Sequence, residues 1–427
     1  MRYCFTVFAA ILLLCNLSAY AKVPEQKAQI LSLNDAIARA LDESPRIKSS
    51  GSALMASKGE RSQAGLLPNP ELSVEAENIA GRGQYKGFDS AEVTFGVSQQ
   101  IEVGGKRSSR VTAASRGYDI ANYEYEATRL NIIRDVTIAY HAAVAAKENV
   151  KLAEEQEKLA GEVMENVTER VNAAADPLIQ KSKAAVALST SKIAARRARS
   201  DYVIARRKLS ALWGVATNSY ELDSSAFFTI AKPHTKASEE PLKRNPDFMR
   251  WEAELSRSKA LYSLEKANGI PNPTVSVGVR DFRENSDQAF VAGVSLPLPV
   301  LNRNQGNIAK ARHEVSKTEN DKRGAELALG NELTRSQQEL ETTYQQAISL
   351  KESILPAASN AFSLARQGYR AGKFPYLEVL DAQRTLFEAR QQYHTALKDY
   401  HITLAEVERL TAKHLPDLKE NEASHGN

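Results

Sequence analysis

The stretch LPNPELSV at residues 67–74 returns as IPNPTVSV at residues 270–277, with the two Pro-Asn-Pro cores 203 positions apart. Self-similarity at a nearly fixed spacing indicates a structural repeat, which changes the interpretation of every other segment. Further matches follow in the same order with shifts of 197 or 198 positions: Gly96-Val97-Ser98 with Gly293-Val294-Ser295, Pro177 with Pro375, Asp201-Tyr202 with Asp399-Tyr400, and Leu212 with Leu410. The sequence therefore predicts an internal twofold repeat, with copies at 22–213 and 241–412, a linker at 214–240 and a polar C-terminal tail at 413–427.

Each copy is predicted to begin with a helix and to continue with a β-hairpin. The helices are expected at about 33–63 and 241–268, with Ser32 or Asn34 as the N-cap of the first one, and Pro-Asn-Pro ends both. Apolar and polar residues then alternate with the period of two that is typical of strands. The alternating segments are 71–79 and 91–101, which form a hairpin at 71–101, and 274–282 and 288–296, which form a hairpin at 274–296.

A long helical hairpin completes each copy, at 105–213 and 305–412. Its first arm, of roughly 65 residues, would extend about 100 Å, and Pro356 is the one proline within either of these arms. On the returning helix of the second copy, apolar residues follow a 3-4 spacing from position 379 to position 410, which predicts a coiled-coil seam. A second, less regular apolar line on the same helix indicates a neighbour on each side. Helices with two neighbours each favour a closed ring, that is, an α-barrel.

The four predicted strands are long enough to cross a membrane, because a tilted transmembrane strand needs about 9–11 residues. They cannot close into a barrel alone, since bacterial transmembrane barrels have at least about eight strands and an open edge in lipid leaves backbone groups unpaired. Several chains must then contribute, and a trimer would supply twelve strands, although dimers and tetramers satisfy the same argument.

The predicted fold class is an α+β membrane protein. Long coiled-coil helices form an α-barrel, and four strands contribute to an oligomeric transmembrane β-barrel whose polar strand faces line water. The alternative on pattern alone is a soluble β-hairpin that caps a coiled-coil stalk, as in an adhesin or a periplasmic adaptor without a barrel.

Residues 1–21 are predicted to be a signal peptide. A basic residue precedes an apolar run at 5–17, and a small-x-small cleavage pattern follows it. Both cysteines, Cys4 and Cys15, lie in this segment, so the mature chain is expected to have no disulfide and no cysteine-bound metal. A lipid anchor at Cys15 is disfavoured because the preceding residue, Leu14, is not small. After residue 21 no apolar stretch approaches the roughly 20 residues that a membrane-spanning helix needs.

Composition argues against a nucleic-acid-binding protein and against an enzyme. The 56 basic and 52 acidic residues give a net charge of +4 and are spread along the chain without a basic face. Aromatic residues make up only 7%, a balance that favours long solvated helices over a thick globular core. Gly81-Arg82-Gly83 lies in a predicted hairpin loop, so it does not predict a nucleotide-binding fingerprint. Neither a catalytic site nor a cofactor is predicted.

Histidines are the remaining candidates for metal ligands. His394 and His401 lie seven residues apart, about 10 Å along a helix, which is too far to share one ion. Both are predicted to be structural. The other five are scattered along the sequence, and no cluster of His, Cys or Met predicts a bound metal: they are His141, His234, His313, His414 and His425.

The order of helix, hairpin and long helical hairpin, repeated once, resembles the TolC family of outer-membrane efflux channels over nearly the whole mature chain. The sequence YRAG at 369–372, followed by YLEVLDAQR at 376–384, looks like that family's periplasmic helix tip. EVGGKR at 102–107 and PLPVLNRNQG at 297–306 are similar to the cobalt-zinc-cadmium branch of the family, which serves heavy-metal efflux pumps. These two motifs lie where strands pass into long helices, so they are expected to mark the branch without contacting the cargo.

The resemblance implies a homotrimer in the lipid of the cell outer membrane of a Gram-negative bacterium, with its helical barrel in the periplasm. There it implies docking to a periplasmic membrane-fusion adaptor and, through the adaptor, to an inner-membrane RND pump. The implied function is a passive export duct for divalent heavy-metal cations. A drug or peptide duct of the same family is the alternative.

Glu378 and Asp381 are the candidate channel gate. Their i, i+3 spacing places both on one face of a helix, and three copies around an axis would bring six carboxylates together in a ring that favours cations. In the family, acidic residues of this segment form the periplasmic constriction, so the resemblance implies that role here. The alternative is stabilisation of a helix N-terminus through the helix dipole. The first copy has Gln180 and Lys183 at the matching positions, so its turn is neutral or basic there.

Adaptor docking is assigned to the two helix tips. The candidate residues are Arg170, Asp176 and Pro177 in the first copy and Arg370, Gly372, Tyr376 and Leu377 in the second. Arg170 and Arg370 come just before the two turns, where they are expected either to pair with acids of a neighbouring hairpin or to be solvated.

Overall fold

The computed structural model describes residues 29–215, 220–233 and 240–414. The predicted signal peptide with Cys4 and Cys15, the histidines at positions 234 and 425, and all but the first two residues of the predicted tail lie outside these ranges. Among the described helices, none has both the length and the apolar character that crossing a membrane requires.

Helices make up most of the described chain, and the longest one, α3, lies at the centre. It packs against α1, α2, α4, α6 and α9, whereas α9 packs against α3, α7 and α8. At 67 residues, α3 extends about 100 Å. The helices are α1 Leu33–Glu43, α2 Pro45–Ala64, α3 Lys106–Asn172, α4 Leu178–Ala211, α5 Glu240–Lys243, α6 Pro246–Asn268, α7 Gln305–Ser349, α8 Leu355–Arg370 and α9 Tyr376–Leu410.

The predicted single helix at 33–63 is wrong, because the chain breaks at Ser44 into α1 and α2. Ser44 has an extended ψ of 127°, as expected for a residue before proline, and Pro45 opens α2. Ser32 is the N-cap of α1 and forms a capping box with Asp35. The predicted helix at 241–268 is likewise divided into α5 and α6, where the Asn245 side chain accepts the N–H of Asp247 at 2.8 Å.

The first arm of the second helical hairpin is helical throughout but changes its winding near Pro356. Residues Leu350–Ile354 form a π-helical segment between α7 and α8. Proline has no N–H to donate and its ring crowds the preceding turn, so the wider winding relieves a clash that a regular α-helix would have there.

Two sheets are present in the described chain. A four-stranded antiparallel sheet has the order β2-β3-β5-β6, and a short parallel pair joins β1 to β4. Each strand of the larger sheet begins and ends within two residues of its predicted bounds. The strands are β1 Gln29–Leu31, β2 Glu71–Glu77, β3 Glu92–Gln100, β4 Tyr220–Leu222, β5 Thr274–Phe282 and β6 Asp287–Ser295.

The predicted linker at 214–240 is not merely an irregular connection. Its strand β4 pairs in register with β1, and Phe227 is only 1% exposed within the main hydrophobic cluster. The Tyr140 hydroxyl on α3 makes hydrogen bonds with the carbonyl oxygens of Leu31, at 2.9 Å, and Asp223, at 2.8 Å. The described part of the linker therefore belongs to the core that fixes α3 beside β1.

Candidate functional site

The four-stranded sheet has one face that is apolar and exposed. Its cross-strand rows include Val74, Phe95, Val279 and Phe290, which lie opposite one another on successive strands. Phe290 is 94% exposed, and the other members of this row are exposed as well. The same face carries Leu72, Ala76, Val93, Val97, Val275, Val277, Ala292 and Val294, with Gln99 near one end and Asp281 and Gln288 at the other. An apolar surface this continuous is typical of contact with a membrane or with another protein.

The opposite face of the sheet is polar. Serine, threonine and charged residues dominate β2, β3 and β5 there, and Gly96 lies beside Gly278 in the middle of the face. Phe282, Ala289 and Val291 are its apolar members toward β6. Its charged residues are Glu71, Glu75, Glu77, Glu92, Arg280 and Asp287. A strand of nine residues covers about 30 Å along its own axis, so the two faces have the height and the contrast of a membrane-spanning wall.

The helix tips form the second candidate site, and their two turns share one hydrogen-bond pattern. Ala174 and Gly372 occupy equivalent positions, with φ of 57° and 71°. Each turn has three backbone hydrogen bonds of 2.8–3.0 Å, and the two sets lie at matching positions. In the first turn they run from Ala173 N to Glu169 O, from Ala174 N to Val171 O and from Ala175 N to Arg170 O. In the second they run from Ala371 N to Gln367 O, from Gly372 N to Tyr369 O and from Lys373 N to Gly368 O.

A polar network joins the two tips. Arg170 donates from Nε to Oδ2 of Asp176 at 2.8 Å and from Nη2 to Oδ1 at 3.2 Å, so the pair is bidentate. The Tyr369 hydroxyl, from the other helical hairpin, donates to the same Oδ2 at 3.0 Å, and the guanidinium lies 5.0 Å from the centre of the Tyr369 ring. The bond from Arg170, with a further contribution from Tyr369, holds the pKa of Asp176 below its usual range. Arg170 thus pairs with the acid of its own turn rather than with a neighbouring hairpin.

The two candidate gate carboxylates lie at the start of α9 and are exposed. Within the described chain, neither Glu378 nor Asp381 has an ion pair. Tyr376, by contrast, is 3% exposed and packs with Val167 and Val379 in a small cluster that fixes the beginning of α9. The carboxylates therefore project from a helix end whose position is determined by buried neighbours.

The other predicted tip residues have distinct surroundings. Leu377 is 56% exposed, Pro177 is the N-cap of α4, and Gly372 has open space around the position of a Cβ atom. Arg370 has no ion pair among the described residues. In the first copy, Lys183 is exposed, whereas Oε1 of Gln180 is buried without a hydrogen-bond partner in the described chain.

His394 and His401, in the middle of the helical region, each make a hydrogen bond to another part of the chain. His394 Nδ1 lies 2.9 Å from Oδ1 of Asn149, and His401 Nε2 lies 2.9 Å from the carbonyl oxygen of Phe227. His141, which is distant from the other histidines in sequence, stacks its ring on that of His401 with centroids 3.8 Å apart. Burial lowers the pKa of His141 to about 3 and also lowers that of His401. Within the described ranges, no group of three or more His, Cys, Asp or Glu side chains could hold a metal.

The two motifs at the strand-to-helix junctions stabilise the backbone there. Lys106 Nζ contacts the carbonyl oxygen of Ile270 and the side chain of Asn272, so the start of α3 is tied to the loop that precedes β5. Asn304 donates to the carbonyl oxygen of Glu265 at 2.8 Å at the start of α7. The first motif therefore ties the start of α3 to the loop before β5, and the second ties the start of α7 to α6.

Comparison with known proteins identifies a family and several relatives of this chain. A family model described as "Outer membrane efflux protein" matches residues 36–215 and 237–413. The chain is 30% identical over 391 residues to the cobalt-zinc-cadmium resistance protein CzcC of Cupriavidus metallidurans, covering 91% of this chain and 92% of that protein. It is 26% identical to the nickel-cobalt-cadmium resistance protein NccC of Alcaligenes xylosoxydans xylosoxydans, over 65% of this chain and 63% of that protein.

A solved structure has a similar fold. The outer membrane channel CmeC of Campylobacter jejuni superposes with a TM-score of 0.79 at 16% sequence identity, covering 92% of this chain and 88% of that chain. At this level of identity the comparison establishes that the two chains share their architecture of long helices and a four-stranded sheet.

Proposed function

The chain belongs to the outer membrane efflux protein family, and on that premise we propose that it is the outer-membrane duct of a tripartite system that exports divalent heavy-metal cations. The observation that carries this proposal is the similarity to CzcC, whose name describes cobalt, zinc and cadmium resistance, over nine-tenths of both chains. A drug or peptide duct of the same family remains the alternative cargo assignment. The match of the family model to both halves of the chain argues against the alternative of an adaptor without a barrel.

The sheet edges support assembly of several chains, which we infer to be a homotrimer. The edge strands β2 and β6 each pair with one neighbour only, so each leaves a row of backbone N–H and C=O groups to be paired. Lipid against the apolar face would make unpaired edges costly, which favours completion by strands of sister chains. Three chains would form a twelve-stranded barrel in outer-membrane lipid, with the polar sheet face toward the water-filled lumen.

The helices support the same assembly. On α4, which packs mainly on α3, Ile179, Val186 and Ile193 follow a seven-residue spacing and are 58%, 67% and 60% exposed. On α8, at the other side of the chain, Leu364 is 54% exposed. A neighbouring chain would cover both edges and close an α-barrel in the periplasm. The twofold repeat is part of the proposal, and the two family matches and the two equivalent tip turns support it.

The periplasmic end is the proposed gate and docking surface. Glu378 and Asp381, exposed and unpaired in the described chain, would form a ring of six carboxylates in the trimer, which favours cations at the entrance. The exposed residues around the turns, including Arg370, Gly372 and Leu377, would contact a membrane-fusion adaptor, and the adaptor would connect the duct to an inner-membrane RND pump. Passage through the duct would be passive, without catalysis by this chain.

Metal tolerance of a strain that lacks this chain, measured ion by ion, tests the proposed cargo. We expect this strain to be sensitive to cobalt, zinc or cadmium, and we expect the intact gene to restore tolerance. Its sensitivity to drugs should be unchanged. Sensitivity to drugs alone would contradict the metal assignment and favour the alternative duct.

Conductance in planar bilayers tests the gate separately. Replacement of both carboxylates by alanine, Glu378→Ala with Asp381→Ala, should raise the conductance, because the side chains that narrow the closed constriction would be shortened. Replacement of Lys183 by alanine, at the matching turn position of the first copy, is the control. Unchanged conductance of the double variant would remove these residues from the gate.

A further inference from the structure

The polar face of the sheet contains a single basic residue among five carboxylates. The carboxylates belong to Glu71, Glu75, Glu77, Glu92 and Asp287 on three strands, and the base is Arg280 on β5. In the register of the sheet, Arg280 lies directly opposite Thr94 on β3. One residue therefore has a large influence on the net charge of this face.

Arg280 is held by contacts that reach across three strands. Its Nε donates to Oγ1 of Thr94 at 2.9 Å, Nη1 lies 2.9 Å from Oε2 of Glu92, and Nη2 lies 2.8 Å from Oε2 of Glu77. The other oxygen of Glu92 accepts a hydrogen bond from Asn78 at 3.0 Å. Every nitrogen of the guanidinium thus has a partner, and its side chain is only 27% exposed.

This network lies at the end of the sheet remote from the long helices. Glu77 is the last residue of β2, Glu92 is the first residue of β3, and the loop between them is a hairpin connection. The opposite ends of the strands lead into the long helices α3 and α7. In the proposed duct, the network would therefore lie at the outer mouth.

We propose that Arg280 sets the charge selectivity of that outer mouth, which rests on the proposed function of the sheet as the wall of a duct. The guanidinium neutralises the carboxylates of Glu77 and Glu92, while Glu71 and Glu75 lie on the same face without an ion pair in the described chain. Fixed charges that line a pore raise the local concentration of the opposite ion and determine which ions pass. Arg280 accordingly lowers the preference of the mouth for cations and prevents it from retaining the cations that it must release.

The test is the reversal potential of the purified full-length protein in planar bilayers under a gradient of potassium chloride. Arg280→Gln should raise the permeability ratio of potassium to chloride about twofold or more, because two carboxylates lose their counter-charge. Arg280→Lys keeps the charge, so its permeability ratio should stay close to that of the unchanged protein. Glu77→Gln removes a carboxylate and should lower the ratio, which gives a second variant with the opposite sign.

Arg335→Gln is the matched control, because Arg335 on α7 also pairs with two glutamates, Glu332 and Glu339. It lies about 45 Å along α7 from the start of that helix, well beyond the screening length of about 10 Å at 0.1 M salt. An unchanged ratio in Arg280→Gln channels that still conduct, or an equal shift in Arg335→Gln, would overturn the assignment. Absence of conductance in the unchanged protein would instead contradict the proposed function.

Discussion

The hydroxyl of Tyr369 donates a hydrogen bond of 3.0 Å to Oδ2 of Asp176, across 193 residues of sequence. Tyr369 lies near the end of α8, and Asp176 lies in the turn between α3 and α4, so the bond joins the tips of two different helical hairpins. Arg170 binds both oxygens of the same carboxylate and keeps it in position. Any motion that separates the two tips must break the bond from Tyr369.

Replacing Tyr369 by phenylalanine should make the duct open more readily. The change removes one hydrogen bond to a charged acceptor, which is worth about 1 kcal/mol at a partly exposed site, and leaves the ring in place. A several-fold rise in open probability is expected in single-channel recordings. Tyr393→Phe makes the same chemical change on α9 at a hydroxyl with no hydrogen bond in the described chain, and it should leave gating unchanged. Equal open probabilities of the two variants would show that the hydrogen bond from Tyr369 does not hold the two tips together.

Asp176 should stabilise the tip in a pH-dependent way. Because Arg170 and Tyr369 lower the pKa of Asp176 in the folded chain, its contribution is present above its unfolded pKa of about 3.9 and is lost as the pH falls through the lower folded value. The destabilisation caused by Asp176→Asn should therefore be largest near pH 7 and disappear at strongly acid pH. Thermal unfolding of both proteins from pH 7 to pH 2 measures this difference. A difference that stays constant over the range would show that the carboxylate charge has no role.

The two tip turns should respond oppositely to exchange of glycine and alanine. Ala174 has a φ of 57°, a conformation that costs an L-residue about 1 kcal/mol more than glycine, so Ala174→Gly should stabilise the protein. Gly372 has a φ of 71° and open space for a Cβ, so Gly372→Ala should destabilise it by a similar amount through the backbone alone.

Gly161 supplies the control for this pair. It lies inside α3 with no atom near a Cβ position, so Gly161→Ala should stabilise by up to about 1 kcal/mol through helix propensity. Denaturant or thermal unfolding measures all three variants. A loss of stability in Ala174→Gly would contradict the left-handed conformation of that turn.

The stacked histidines should make the core sensitive to mild acid. Since burial lowers the pKa of His141 to about 3, the unfolded chain binds a proton at this residue near pH 6.5 and the folded chain does not. Stability should therefore fall as the pH decreases from about 6.5 toward 3, with a slope of up to about 1.4 kcal/mol per pH unit for each such histidine. His141→Phe should flatten this slope in thermal unfolding experiments.

His313 provides the comparison for that experiment, because it is exposed on α7. His313→Phe should leave the pH profile of stability unchanged. If the His141 variant retained the full acid sensitivity, other groups would be responsible for it.

The strands were predictable from sequence because they depend on a local pattern. Alternation of residues such as Leu72 and Val74 with Ser73 and Glu75 placed the bounds within two residues, and Pro-Asn-Pro marked the helix ends. The break at Ser44 was also encoded locally, since a residue before proline avoids the helical conformation. Pro45 ends α1 for this reason, and Pro356 likewise disturbs the winding of the helix in which it lies.

Other features depend on contacts between distant residues and could not be derived from local pattern. The strands β1 and β4 have three residues each, too few for a detectable period, and they pair across about 190 positions. The stacking of His141 on His401 and the bond from Tyr369 to Asp176 likewise join separate helices. A sequence shows that such residues exist, whereas only the packing of α3 between α4 and α9 brings them together.

The central claim is that sister chains complete the open sheet into a conducting cylinder in lipid. Its most direct test is to extract the full-length protein from membranes with detergent and to record single channels from the oligomeric fraction in planar bilayers. The account predicts a species with the mass of three chains that produces discrete, long-lived conductance steps. Recovery of the protein as a monomer in aqueous extract, without conductance steps, would contradict it.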